Sequence, residues 1–396
     1  MKKERFAGTY IILLFVLMFI YGMSSQAIGT LISRIIEHYG IHMAKAGLLS
    51  SFTNVGNFIA IFLVAILVGR INKMVLMGAG LFFYAVSIFL ISVAPPFGFI
   101  LICFSLIGVF GATFDTLSNS LAADFKPDKV SSTMSLLHGF FGLGGLSGPI
   151  VMENLAGKFS WMQVYSAASF VYFFYVIVYT LFVRRQWTKL SVHISHEKQT
   201  KFGLSDMVQF FKQKRHVLLW MAVFFYGGNQ STITVWIKRY VETHLNAPVW
   251  GAYALSAMWL GTTISRLVIS PAIKASSPLK ICAGNIISAV VLALGLWNGS
   301  AIGITAASLL VGLSSGLTLP LVVAICCEWF PQKTAFGTLM AFMAFYISCV
   351  VFPPLSGLVG DSFGIPWGVA VCAASALFAA VFSGFLDAEL KTGKVY

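Results

Sequence analysis

Apolar segments long enough to cross a membrane recur along the whole chain. A helix needs about 20 predominantly apolar residues to span the hydrocarbon of a bilayer. Hydrophobic residues make up 58% of the 396 residues and charged residues only 10%, which is too little polar surface for a water-soluble domain. The sequence therefore predicts an all-α membrane protein with twelve transmembrane helices, at 8–31, 44–68, 75–93, 97–122, 131–152, 161–183, 217–237, 248–272, 280–297, 301–327, 334–357 and 366–386.

The positive charge is distributed unevenly between alternate loops. The net charge is +13, and most of it falls in one set of loops that includes both termini. That set contains Lys2, Lys3, Arg5, Arg70, Lys73, Lys126, Lys129, the 184–216 cluster, Lys274, Lys280, Lys333, Lys391 and Lys394, whereas the other contains Arg34, Lys45, Lys158, Lys238 and Arg239. Basic residues accumulate in cytoplasmic loops, so a multi-pass protein of the cell membrane with cytoplasmic N- and C-termini is predicted. Orientation in the bilayer accounts for the charge, and no nucleic-acid partner is predicted.

A short phrase occurs twice in the sequence. Residues 21–39 read YGMSSQAIGTLISRIIEHY and residues 226–244 read YGGNQSTITVWIKRYVETH, with six identities at a constant shift of 205. Six predicted spans separate the two copies, so both copies cross the membrane in the same direction. A parallel repeat of this kind predicts two six-helix halves related by a pseudo-two-fold axis along the membrane normal, with the substrate path between them.

The repeat also predicts the domain boundaries. The N-terminal half covers 1–184, a cytoplasmic linker covers 185–216, and the C-terminal half covers 217–396. Within the linker, residues 204–211 are predicted to form a short amphipathic helix on the membrane surface. We expect the protein to act as a monomer.

One carboxylate is predicted to lie deep in the bilayer. Of thirteen Asp and Glu residues, only Asp115 falls near the middle of a span, with Asn119 one turn away on the same face. A membrane-embedded acid is costly and indicates a functional site. His138 lies near the start of the fifth span in SLLHGFFGLGGLSGPI, where glycines allow close helix approach. Spans four and five are therefore predicted to bring His138 towards Asp115 as a proton relay. The alternatives are an Asp and a His that only bond neighbouring helices.

Uncharged polar and aromatic residues cluster in the repeated phrase and near it. Amides, hydroxyls and flat aromatic faces suit a neutral, polyhydroxylated ligand. The alternative is ordinary hydrogen bonding between helices. The predicted substrate-binding residues are Tyr21, Gln26, Asn57, Asn119, Tyr226, Asn229, Gln230, Trp236 and Trp259.

Charged residues also recur in both copies of the phrase, towards the ends of their helices. Arg34 with Glu37, and Arg239 with Glu242, are each three residues apart. We interpret them as interfacial ion pairs, with an outer gate as the alternative.

Twelve spans in two halves with a basic central linker resemble the major facilitator superfamily over the whole chain. LHGFFGLGGLSGPI (137–150) and the stretch from YGGNQSTITVWIKRYVETHL through WLGTTISRLVISP (259–271) resemble its fucose–proton symporter branch. The resemblance assigns proton coupling to Asp115 and His138, and it matches Arg266 to an arginine that ends the eighth span.

The sequence departs from that branch at three places. The first span has no acid and offers Gln26 or Gly29, and the seventh-span glutamate is replaced by Asn229 or Gln230. The superfamily's loop motif is reduced to GRINK around Arg70, without its Asp.

Two transport functions agree with these residues, and an enzyme does not. Within the sequence, no nucleotide-binding loop or metal-ligand spacing is present, the six cysteines fall in apolar segments, and no cofactor or metal is predicted. We predict a secondary transporter that imports a small neutral solute, such as a sugar, with protons, or with sodium as the alternative ion. Proton-driven efflux of drugs or lipid-like molecules is the alternative function.

Overall fold

The computed structural model describes residues 2–68, 70–190, 204–269 and 277–392, and its regular elements there are helical. The α-helices are α1 (Lys2–Ser25), α2 (Ala27–Tyr39), α3 (Met43–Leu67), α4 (Lys73–Ser92), α5 (Phe97–Phe125), α6 (Val130–Ala156), α7 (Trp161–Leu190), α8 (Leu204–Lys212), α9 (Lys214–Thr243), α10 (Pro248–Ile264), α11 (Pro278–Asn298), α12 (Ala301–Ser315), α13 (Thr318–Trp329), α14 (Thr334–Phe363) and α15 (Ile365–Lys391). A 3₁₀ turn (Pro127–Lys129) precedes α6, and a π-helical turn (Ser265–Ile269) ends α10. The linker residues 191–203 lie outside the described residues.

Eleven helical segments in the described part of the chain are long and apolar enough to cross a membrane. The first of them, Gly8–Tyr39, contains both α1 and α2, and the one at Ala301–Trp329 contains both α12 and α13. The predicted seventh span corresponds to α9, which has 30 residues. Its central Asn229-Gln230-Ser231-Thr232 and the following Lys238 and Arg239 make α9 less apolar than the eleven others.

The chain forms two compact units. Unit 1 contains Met1–Tyr39 and Phe52–Gln199, and unit 2 contains Gly40–Ser51 and Thr200–Tyr396.

Glycines set the closest helix crossings in unit 1. A side chain at Gly22 of α1 would overlap the carbonyl oxygen of Phe141 in α6, and one at Gly144 of α6 would overlap the backbone of α1. Gly56 of α3 and Gly108 of α5 form a second crossing, where an added Cβ would overlap a carbonyl oxygen of the facing helix. Small residues let helices touch through their backbones, so α1–α6 and α3–α5 pack at the shortest range. The glycines of the fifth predicted span thus bring α6 against α1, whereas the sequence had suggested the fourth span as their partner.

Unit 2 has a crossing of the same kind at nearly the same sequence shift. Gly261 of α10 and Gly312 of α12 lie 205 and 204 residues after Gly56 and Gly108. A Cβ at either would overlap a backbone carbonyl oxygen of the other helix. In α9, a Cβ at Gly227 would approach the carbonyl oxygen of Phe345 in α14 to 3.0 Å.

Candidate functional site

The helix of the first span is interrupted at Gln26, between α1 and α2. A break leaves backbone carbonyl groups without their usual partners four residues on. Three donors close to the break take up these oxygens: Ser24 Oγ bonds Tyr21 O at 3.2 Å, Ser25 Oγ bonds Gly22 O at 2.8 Å, and Gln26 N bonds Met23 O at 3.2 Å. The carbonyl groups of Tyr21, Gly22 and Met23 are therefore bonded where α1 ends.

The side chain of Gln26 lies buried at this break, with 1% of its surface exposed. Its Nε2 donates to Ser25 Oγ at 2.8 Å. Its Oε1 is buried and accepts no hydrogen bond from any residue that the structure describes. Most buried polar atoms are satisfied, and an exception of this kind indicates a place for a water or a ligand donor.

Tyr21 connects the break to α5. Its ring packs edge-on against Phe114 at 4.7 Å and Tyr84 at 6.0 Å between centroids. A Cβ at Gly111 would lie 3.1 Å from the hydroxyl oxygen of Tyr21. Gly111 precedes Asp115 by one helical turn, so the Tyr21 hydroxyl lies beside the stripe of α5 that carries the acid.

Asp115 is half-buried in the middle of α5. Within the described part of the chain its carboxylate makes no hydrogen bond and no ion pair. Its backbone carbonyl accepts from Asn119 Nδ2 at 3.0 Å, while the buried Oδ1 of Asn119 has no described partner. The stripe therefore presents an uncommitted carboxylate and an uncommitted amide oxygen one turn apart.

Asn57 extends the polar surface to α3. Its Nδ2 donates to Asn54 Oδ1 at 3.2 Å. A Cβ at Gly108 would lie 2.9 Å from the backbone nitrogen of Asn57, so this asparagine is carried on the helix that α5 touches most closely.

Two tyrosines behind the break hold Ser24 in place. Ser24 Oγ lies 3.1 Å from the hydroxyl of Tyr84 and 2.7 Å from that of Tyr172. Ser24 Oγ has one proton and donates it to one partner at a time, so at least one of the two phenols donates to it. Sequence reasoning missed this pair; the signal was a tyrosine in an apolar span, because a buried phenol needs a hydrogen-bond partner.

His138 lies on an exposed part of α6, away from a direct bond with Asp115. Because the carboxylate of Asp115 has no described hydrogen bond or ion pair, the relay predicted between the two is not formed in this structure. Proton coupling by His138 stays a prediction.

In unit 2 the amides of the repeated phrase, Asn229 and Gln230, form hydrogen bonds inside the helix bundle. Asn229 is 0% exposed, and its Nδ2 lies 3.3 Å from Ser288 Oγ and 3.1 Å from Cys372 Sγ. Gln230 Nε2 donates to Asn229 Oδ1 at 3.1 Å and to Ser315 Oγ at 2.9 Å. In this structure both residues join helices, which is the alternative that the sequence had left open.

The predicted aromatic residues of unit 2 differ in how far they are buried. Trp236 is 0% exposed and donates from Nε1 to Pro353 O at 3.1 Å, so it fixes α9 to α14. Tyr226 is fully buried, and its hydroxyl interacts electrostatically with Arg266 in the π-helical turn. Trp259 is half-buried on α10.

The charged residues near the helix ends have partners that sequence spacing did not predict. Arg34 makes a bidentate pair with Glu153 of α6, with both N–O distances 2.9 Å, while Glu37 is exposed. Glu242 pairs with the buried Lys238 at 2.9 Å, in place of the predicted Arg239.

The remaining predictions concern Arg70 and the absence of a metal site. Arg70 is exposed in the turn after α3. No group of three or more His, Cys, Asp or Glu residues there could hold a metal ion.

One comparison with known proteins identifies a family. The model of the Major Facilitator Superfamily matches residues 14–296, which is more than half of the chain. No curated protein sequence matches.

Solved structures share the fold at low sequence identity. A bacterial homologue of the human lysosomal transporter Spinster, in an inward-facing and unoccupied conformation, has a TM-score of 0.70 at 12% identity and covers 98% of each chain. The E. coli fucose:proton symporter FucP has a TM-score of 0.60 at 18% identity, covering 96% of this chain and 98% of its own. A bacterial homologue of the human drug peptide transporters PepT1 and PepT2 has a TM-score of 0.73 at 10% identity and covers 98% of each chain.

Proposed function

The chain belongs to the major facilitator superfamily, and on that premise we propose that it moves a small neutral solute across the cell membrane by alternating access, coupled to protons. The superfamily resemblance is thereby confirmed, and members of this family are transporters. The solute, the coupling ion and the direction of transport belong to the proposal.

The observation that carries the proposal is the uncommitted Asp115 on the stripe of α5 that Tyr21 contacts at Gly111. A carboxylate within a membrane domain binds or releases a proton as its solvation changes. Interrupted helices at membrane depth are tolerated where they line a site, since their backbone groups need partners. Asp115, Tyr21 and Gln26 thus combine a proton carrier with hydroxyl and amide groups that can bind a solute.

The chemistry of this surface favours a polyhydroxylated solute. Gln26 Oε1 and Asn119 Oδ1 are acceptors without described donors, and sugar hydroxyls are donors. Tyr21 adds an aromatic ring beside Gly111 of α5, and aromatic side chains commonly line ligand sites. The similarity to a fucose:proton symporter is consistent with this class, although at 18% identity it supports the fold alone.

The solute is found first, by a thermal-shift screen of the purified protein with sugars, nucleosides and cationic drugs at two pH values. A sugar that raises the melting temperature supports the proposal. Stabilisation by cationic drugs alone would support efflux instead.

Asp115→Asn then tests the coupling in proteoliposomes. The amide keeps the shape of the side chain but cannot cycle a proton, so we expect accumulation against a gradient to be lost while exchange of labelled for unlabelled solute continues. Asp128→Asn is the matched control, because Asp128 is an exposed acid in the turn after α5. If Asp115→Asn still concentrates the solute as wild type does, Asp115 does not couple protons.

The proposed topology places both termini in the cytoplasm and two six-helix halves about a pseudo-two-fold axis. The recurrence of the Gly56–Gly108 crossing at Gly261–Gly312 supports the internal repeat. A reporter that is active only in the cytoplasm should work when fused after residues 74, 128 or 200 and be silent after 42 or 158. The opposite pattern would reverse the orientation.

A further inference from the structure

We propose that α8 and the first residues of α9 form a binding surface for the headgroup of an anionic phospholipid. This surface, called the α8 surface below, consists of Val208, Phe211, Lys212, Lys214 and Arg215. All of its residues belong to unit 2, whereas Tyr21, Gln26 and Asp115 belong to unit 1.

The inner side of α8 is fixed to the unit. Phe210 is 4% exposed and packs in one apolar cluster with Phe336 and Met340. The ring of His216 stacks on Phe210 with centroids 4.8 Å apart. Asp206 pairs with Lys333 at 2.8 Å. Because both an apolar and an ionic contact anchor it, α8 presents a defined outer side.

That outer side is apolar and is left exposed by the residues that the structure describes. Val208 is 56% exposed and Phe211 is 44% exposed. Residues three apart on a helix share a face, so the two form one patch. Phe211 meets Trp220 edge-on at 5.7 Å, which joins the patch to an aromatic residue of α9. Tryptophan and other amphipathic aromatic residues concentrate at the boundary between lipid and water.

Positive charge adjoins the apolar patch. Lys212 is exposed, and no described residue pairs with it. Lys214 has 71% of its side chain exposed while it pairs with Glu389, and the guanidinium of Arg215 lies 5.4 Å from the ring centre of Trp329. Three cations thus face one acid, which leaves a net positive charge on the α8 surface.

An anionic phospholipid fits both properties at once. A helix that is apolar on one side and basic beside it lies in the membrane interface, with its apolar residues towards the acyl chains. Each basic residue near an anionic bilayer contributes about 1 kcal/mol of attraction. A nucleic acid or an acidic protein would match the charge but would leave Val208 and Phe211 in water.

The test uses the full-length protein in nanodiscs of phosphatidylcholine with a minor fraction of phosphatidylglycerol. Phe211 is replaced by the photoreactive p-benzoylphenylalanine, which keeps the aromatic ring, and cross-linked lipid is identified by mass spectrometry. We expect lipid adducts in which phosphatidylglycerol exceeds its bulk fraction. Lys212→Gln should lower this enrichment about five-fold, the ratio that corresponds to about 1 kcal/mol.

Two controls separate the alternatives. Lys158→Gln removes one positive charge from the other set of loops and should leave the enrichment unchanged. The proposal is overturned if cross-links form only within the protein. It is equally overturned if the adducts follow the bulk lipid ratio, because the surface would then contact lipid without selecting its headgroup. Adding Arg215→Gln to Lys212→Gln should lower the enrichment further, and no further decrease would remove Arg215 from the surface.

Discussion

The repeated phrase is interrupted in unit 1 and continuous in unit 2. At the shift of 205, Ser24 and Ser25 correspond to Asn229 and Gln230. The two serines turn back onto carbonyl groups of their own helix, which ends at Ser25. The two amides reach other helices, and α9 runs unbroken from Lys214 to Thr243.

The lengths of these side chains decide which partners they reach. A serine hydroxyl is close enough to the backbone to compete for carbonyl groups three or four residues earlier, which bends or ends helices in apolar surroundings. An asparagine or glutamine amide extends further and can bond across a helix interface. The same phrase therefore yields an interrupted helix with an unpaired Gln26 Oε1 in unit 1 and a continuous helix with bonded amides in unit 2.

The largest expected effect concerns the tight glycine crossing that both units contain. Gly108→Leu and Gly312→Leu each place a side chain inside a backbone contact, and overpacking of this severity should cost at least about 3 kcal/mol. We expect both variants to lose most folded protein, measured by the yield of monodisperse protein and the melting temperature in detergent.

Gly98→Leu is the matched control for these glycines, since nothing lies within 4 Å of a Cβ at Gly98. A Gly108→Leu protein as stable as the Gly98→Leu protein would show that the crossing of α3 and α5 is not tight. If only one of the two buried glycines is sensitive, the crossings of the two units are not equivalent.

The second prediction compares the stability of the two amide sites. Asn229→Ala removes bonds to two other helices and leaves buried partners unsatisfied, so it should destabilise by about 1–3 kcal/mol. Gln26→Leu removes an amide whose Oε1 has no described partner, so it should be nearly neutral for stability while it abolishes solute binding. Chemical denaturation in mixed micelles and ligand-induced thermal shifts measure the two quantities. Equal destabilisation of both variants would contradict the distinction between site and scaffold.

A third prediction concerns the two acids near Arg34. Glu153→Gln breaks a bidentate pair in which both side chains are largely buried, at 24% and 15% exposure. The loss should be about 1–2 kcal/mol in the free energy of unfolding. Glu37→Gln changes an exposed acid and should alter stability by less than about 0.5 kcal/mol. The reverse order would restore the pairing of Arg34 with Glu37 that the spacing suggested.

The smallest effect is a coupling energy at the helix break. Ser24→Ala and Tyr172→Phe each remove one side of a 2.7 Å hydrogen bond. In a double-mutant cycle we expect a coupling of about 0.5–1 kcal/mol. A coupling of zero would mean that Tyr172 does not hold the end of α1.

Much of the fold could be predicted from the sequence, because apolar length and the positions of glycines are local properties. The glycine-rich run at 137–150 was identified as a close-approach surface, but its partner was not, since any neighbouring helix could use it. The break at Gln26 could not be predicted, because no proline marks it and a polar run such as Ser24-Ser25-Gln26 also occurs within a continuous helix, as Asn229-Gln230-Ser231 does in α9.

The candidate site was predicted less completely, for a similar reason. Asp115 was found because a mid-span acid is rare, and the structure leaves it uncommitted. The partners of Arg34 and Glu242 were missed, because spacing along one helix does not reveal charges that another helix or the preceding turn supplies. Asn229 and Gln230 have the residue types of a binding site, and only the positions of Ser288, Ser315 and Cys372 show that their bonds are already taken.

The glycine crossings also limit how each unit can move. Where Gly56 meets Gly108, and where Gly261 meets Gly312, the two helix backbones are in direct contact without a side chain of these glycines between them. Sliding one helix along the other by even one residue would push larger side chains into carbonyl groups. Each pair of helices is therefore expected to move as one rigid body. Motion during a transport cycle is therefore expected to concentrate at interrupted helices such as the one at Gln26, where the ladder of backbone bonds is already open.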